Sequence, residues 1–96
     1  MTQGNYYVYI TTNPTKTVLY TGMTSDLAVR VRQHWLNRGK TETFAGKYYC
    51  YKLLYFEFFR DVNQAIDREK EIKNMTREKK AALIAINNPH WNFLSI

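Results

Sequence analysis

Two runs of β-branched and aromatic residues, Tyr6–Thr12 and Thr17–Met23, flank the turn-forming tetrapeptide Asn13-Pro14-Thr15-Lys16. Little but a β-hairpin satisfies that pattern, because proline presets the turn while the flanking side chains favour extended backbone. With Thr12 opposite Thr17 across a four-residue loop, antiparallel pairing sets Tyr9 opposite Tyr20. Both rings then leave the same face of the sheet.

The remaining elements follow from periodicity and caps. Thr24-Ser25-Asp26 offers N-caps for a helix to about Asn37, whose inward stripe is Leu27, Val31 and Trp35, and Gly39 stops it. Lys40 to Tyr49 is polar and glycine-containing without usable period, and is expected as a loop. Tyr51 to Phe59 is a long apolar and aromatic run, expected as a central strand pairing with the hairpin. Asp61 with Gln64 resembles a capping box and opens a second helix through about Met75. Thr76 caps a third, with Ala82, Leu83 and Ile86 among its apolar positions, and Pro89 ends it. The expected class is α+β, a three-stranded antiparallel sheet flanked by helices in the order β-β-α-β-α-α.

Size and charge narrow the function. Ninety-six residues suffice for one core but not two, so a single domain is expected over the whole chain, with its core from about Tyr6 to Leu94. Hydrophobic content of 45% excludes wholesale disorder. A net charge of +6 on so short a chain points to a polyanionic partner, nucleic acid first. The single cysteine, Cys50, excludes an internal disulfide or a cysteine-based zinc site, and reads as a small buried side chain. The polar stretch Met1 to Asn5 lacks the apolar segment of a signal peptide, and no apolar run could span a bilayer. A cytoplasmic protein without membrane partners is expected.

Glu69 is the anomaly among the polar residues. On the second helix it falls inside the apolar stripe Val62, Ala65, Ile66, Ile72. A carboxylate facing inward demands a cation, either a bound metal or an arginine from the sheet. The alternative is an i,i+4 pair with Lys73, bent toward solvent at the rim. Arg30 and His34 share one helix face, either as a phosphate clamp or as part of a solvated basic face with Arg32 and Arg38. Gly22 is expected to let the backbone turn tightly into the first helix and open the strand end to substrate.

Taken together, the chain resembles the GIY-YIG nuclease domain, most closely its small stand-alone bacterial members. Tyr7-Val8-Tyr9 and Tyr20-Thr21-Gly22 match its two naming elements, with Tyr7 standing where the first has glycine. Arg30 to His34, Glu69 within Arg68-Glu69-Lys70-Glu71-Ile72-Lys73, and Asn88-Pro89-His90-Trp91 complete the order. The resemblance implies divalent-metal-dependent hydrolysis of DNA phosphodiesters. By position, Glu69 would bind one magnesium or manganese ion, Tyr9 would serve as general base, and Arg30 would neutralise charge on the phosphoryl oxygens. Tyr20 and His34 would position the phosphate or relay a proton. Gly22, Arg32, Lys73 and Asn88 complete the expected substrate-binding set. Larger family enzymes gain specificity from a separate DNA-binding domain, for which this chain has no room, so weak specificity, or a protein partner supplying it, is implied. DNA is the expected substrate, with RNA not distinguished. The competing readings are a nucleic-acid-binding module without catalysis, and a protein-interaction subunit using the aromatics Tyr48 to Tyr55 and Trp91-Asn92-Phe93, which are more simply explained as core.

Overall fold

Which strand occupies the middle of the sheet is decided by burial on both faces. In a computed structural model describing residues 3–96, Val8 to Thr12 are all fully buried, and their strand is the central one. Met1 and Thr2, the first residues of the stretch read as lacking a signal peptide, lie outside the described residues. The elements are β1 (Gln3–Thr12), β2 (Leu19–Thr24), α1 (Leu27–Leu36), α2 (Phe44–Lys47), β3 (Lys52–Asp61), α3 (Val62–Lys73) and α4 (Arg77–Asn87). The sheet is antiparallel in the order β2-β1-β3, with helices completing an α+β fold. Among the described residues, no helix is long and apolar enough to cross a membrane.

The apolar run expected at the centre is thus an edge strand. Among the described residues β3 pairs with β1 alone, and its outer half is only partly covered, with Phe56 and Phe58 exposed. Its apolar density has a local cause. Ile10 pairs with Tyr55 but Thr11 with Leu53, so Leu54 is the extra residue of a bulge. The bulge turns both Leu54 and Tyr55 into one core, with Val8, Ile10, Ala65, Ile72 and Ile84. The opposite face carries a second cluster, Tyr9, Leu27 and Leu53, covered by Tyr7, Tyr20, Val31 and Leu94. Alternation along β1 separates the two faces: Val8 and Ile10 point to α3 and α4, Tyr7 and Tyr9 to α1.

The caps fall where their chemistry puts them. Asp26, Asp61 and Thr76 accept the backbone N–H of Val29, Gln64 and Lys79 at the starts of α1, α3 and α4. Gly39 adopts a left-handed φ of 83° beyond α1. α3 stops at Lys73, short of Met75, with Asn74 as its C-cap. The buried apolar residue of α4 is Ile84, while Ile86 is exposed. Two further expectations require correction. The segment Lys40 to Tyr49 holds α2, a single turn capped by Thr43 and too short to leave a period in the sequence. On α1 the inward face runs through Leu27, Val31 and His34, and Trp35 is 45% exposed. A repeat of 3.6 residues carries the buried stripe to position 34, one residue before the tryptophan.

The chain after α4 is fastened by Asn88. Its Nδ2 donates to the Leu54 and Asn92 carbonyls and its Oδ1 accepts the Asn92 N–H, while the Leu94 N–H donates to the Leu53 carbonyl. Ile72, fully buried between α3 and the sheet, tests the larger core. Ile72→Ala should lower stability by roughly 2–5 kcal/mol through lost burial and the cavity left behind. A urea midpoint reduced at unchanged slope is expected, and a loss under about 1 kcal/mol would contradict this packing.

Candidate active site

The hairpin register brings the two tyrosines together by a different pairing from the one expected. Tyr9 lies opposite Gly22 and Tyr20 opposite Thr11, because the connection runs from Asn13 to Val18 rather than to Lys16. The Asn13 Oδ1 accepts the N–H groups of both Thr17 and Val18, at 2.8 and 3.0 Å, and Lys16 takes a φ of 60°, widening the loop by two residues. An even shift preserves the face. Tyr9 and Tyr20 are therefore diagonal neighbours on one side of the sheet, with ring centroids 6.3 Å apart.

Gly22 has a role other than the expected turn. β2 continues past it to Thr24, and Gly39 is the glycine with a left-handed backbone among the described residues. A Cβ at Gly22 would lie 2.5 Å from the Tyr9 hydroxyl oxygen and 3.0 Å from a Tyr20 ring carbon. The missing side chain is the space the phenol occupies.

α1 supplies the partners. The Tyr9 hydroxyl and His34 Nε2 are 2.7 Å apart, and both residues are buried. The His34 ring also packs edge-on against Tyr20, centroids 5.4 Å apart. Burial, reinforced by the Arg30 charge, pushes the His34 pKa down to about 4, so the imidazole is neutral at pH 7. Burial and Tyr20 push the Tyr9 phenol up to about 12, against the opposing pull of Arg30. The Arg30 charge acts on both phenols, Tyr9 and Tyr20, and draws the Tyr9 pKa down against its burial. With the ring proton on Nδ1, the Tyr9 phenol donates to His34 Nε2. Arg30 also donates to Gln33 Oε1 at 3.0 Å.

Glu69 lies at the rim. Its Oε2 is 3.3 Å from Lys73 Nζ and its side chain is 22% exposed, which is the i,i+4 arrangement. Its charge still reaches the Tyr9 phenol. Among the described residues, no three His, Cys, Asp or Glu side chains gather as a metal cage. A lone, partly exposed carboxylate fits a hard cation that keeps most of its waters, and does not fit zinc. The structure thus brings together Tyr9, Tyr20, Gly22, Arg30 and His34, with Glu69 and Lys73 at the rim. It does not bring in Arg32, exposed on another side of α1, or Asn88, whose hydrogen bonds go to Leu54 and Asn92. Phe44, a residue the sequence reading passed over, stacks on Tyr20 at 6.2 Å and touches Tyr48 at 4.7 Å. Its signal was the four-residue spacing of Phe44 and Tyr48 in a segment read as loop.

The buried imidazole makes a measurable prediction. His34 has a folded pKa of about 4 against 6.5 for the free side chain, so the unfolded chain takes up the proton first as pH falls. Its contribution to stability is complete above about 6.5 and is lost between there and about 4. The His34 ring protons, followed by NMR, should titrate near pH 4. A midpoint near 6.5 would mean that the ring is solvated and the Tyr9 contact is not made.

Comparison with known proteins shows the family. The family model for the GIY-YIG catalytic domain matches residues 5–82. A UPF0213 protein of Haloquadratum walsbyi is 41% identical over 78 residues, covering 81% of this chain and 84% of its own. A UPF0213 protein of Clostridium perfringens is 39% identical over 79 residues, covering 82% of each chain. The solution NMR structure of a UPF0213 protein from Bacillus halodurans superposes with a TM-score of 0.56 at 28% identity, over 91% of this chain and 89% of that one. By its sequence, its sheet and its helices, the chain belongs to the GIY-YIG catalytic domain family.

Proposed function

We propose that the protein is an endonuclease that hydrolyses DNA phosphodiester bonds with one divalent metal ion, magnesium or manganese, and with weak sequence specificity. Membership of a nuclease family supports the general activity. The observation that carries the reading is the convergence of Tyr9, Tyr20, Arg30 and His34 at one point of the sheet, with Glu69 close enough to act on the phenol.

Each side chain has a task that its surroundings support. Arg30 presents fixed donors and a permanent charge where phosphoryl oxygens gain charge. The Tyr20 hydroxyl, beside Arg30, orients the phosphate. Tyr9 takes the proton of the attacking water while passing its own to His34, whose neutral ring has a lone pair for it. Gly22 keeps the space around the phenol clear. Glu69 would hold the metal, giving up Lys73, which then becomes free for the DNA backbone. The ion, when bound, polarises the phosphate and stabilises the leaving oxygen. Arg32 and Lys73 add backbone attraction, and Asn88 supports the chain that frames the site rather than the phosphate. A role in repair or recombination, with a protein partner supplying specificity, suits a chain of +6 charge with weak specificity of its own.

One observation favours a second reading, a DNA-binding module with little catalysis. Tyr9 is fully buried in this structure, and Glu69 is held by Lys73. The two readings separate on supercoiled plasmid with magnesium or manganese. The nuclease reading expects cutting by wild type that stops with a chelator or in Glu69→Ala, and a loss of about 100- to 1000-fold in Arg30→Ala. With His34 neutral above about 4 and the Tyr9 phenol protonated below about 12, this relay predicts a wild-type rate level through the neutral range, and Tyr9→Phe should be slower throughout it. Salt-sensitive DNA binding without cutting, unchanged by Glu69→Ala, would establish the binding module instead.

A further inference from the structure

Trp35 is 45% exposed on α1, immediately after the inward-facing His34, and it does not stand alone. The Arg38 guanidinium lies 3.4 Å over its ring, and Tyr51 meets it edge-on with centroids 5.1 Å apart. Lys52 Nζ stands 5.5 Å from the Tyr51 ring and 5.2 Å from that of Phe93, and Lys16 Nζ is 5.0 Å from Phe93. The result is a continuous surface track, Arg38, Trp35, Tyr51, Lys52, Phe93, Lys16, in which cations and rings interleave. Its members come from α1 and the turn after it, the start of β3, the segment after α4 and the hairpin loop. Five cation–ring approaches of 5.5 Å or less are present among the described residues, and four lie on this track.

The pattern matches the chemistry of an unpaired nucleic-acid strand, in which planar bases alternate with phosphates. Rings stack on bases irrespective of sequence, and the cations between them neutralise the backbone. A duplex hides its base faces and would engage the cations alone. An anionic lipid surface would likewise use the charges and leave the rings without stacking partners.

We propose that the track from Arg38 to Lys16 binds a single-stranded segment of nucleic acid, with unpaired bases stacked on Trp35, Tyr51 and Phe93. The inference deepens the nuclease reading and rests on it for its purpose, since the track begins one residue along α1 from His34 and would hold an unpaired flank of the substrate. Binding itself is measurable without cleavage.

The test is fluorescence anisotropy of labelled oligothymidylate, oligouridylate and a duplex of equal length, in chelator, with the full chain. Either single strand should bind at least about tenfold more tightly than duplex. Tyr51→Leu and Phe93→Leu should each weaken single-strand binding by about tenfold, equivalent to roughly 1.4 kcal/mol, and leave duplex binding unchanged. Lys16→Gln with Lys52→Gln keeps the rings and substitutes surface side chains, so folding is not at issue. It should flatten the dependence of log affinity on log salt by roughly 1.4, about 0.7 for each cation. Equal affinity for duplex and single strands, or an unchanged salt slope in the double lysine variant, would overturn the proposal. Strand binding of this kind by a protein that cuts nothing would sink the nuclease reading and leave the track. Cutting without single-strand preference would do the reverse.

Discussion

A phenol hydroxyl held 2.7 Å from a neutral imidazole, both out of water, is the constraint on which the rest of this structure turns. Either group buried alone would cost about 1–3 kcal/mol, so each requires the other. Tyr9 is fully buried on β1, the strand with neighbours on both sides. The phenol requires an empty position opposite, and Gly22 provides it. His34 must point inward from α1, which turns Trp35 outward. The buried pair and the exposed aromatic track are two sides of one helical rotation.

The two faces of the sheet divide the work. Toward α3 and α4, aliphatic residues form the larger core, and Glu57 is gripped by Arg68 through its Nε and Nη2. That ion pair is partly exposed and anchors α3 to β3 without strong stabilisation. Toward α1 the cluster is small and polar, three tyrosines and a histidine among Leu27, Val31, Leu53 and Leu94. The stable face thus carries the fold, and it fixes the helix bearing Glu69 at the edge of the chemical face. Cys50 belongs to the structural part, fully buried with its thiol pushed up to about 11 by burial.

The amino-acid pattern made much of this legible. Caps at Asp26, Asp61 and Thr76 placed the helix starts, and the sheet with its flanking helices followed from the strand runs. The common face of Tyr9 and Tyr20 was legible as well, although the register was off by two, since parity survives an even shift while loop length depends on side-chain bonds such as those of Asn13. Strand order was not legible, because apolarity reports burial and not position, and a bulge at Leu54 concentrates apolar side chains in an edge strand. The four residues of α2 left no period, and Phe44 beside Tyr20 was hidden with them. At Trp35 a spacing of four from Val31 suggested burial, but a histidine one residue earlier took the inward position. Polar residues that satisfy one another inside defeat a pattern built on hydrophobicity.

The central claim is that Tyr9 and His34 act as one unit in phosphodiester hydrolysis. A double-mutant cycle on single-turnover cleavage rates, with Tyr9→Phe, His34→Gln and the two together, tests it most directly. If the proton path runs through their hydrogen bond, each single substitution should cost about as much as both combined. Losses that multiply would show two independent contributions and contradict the account.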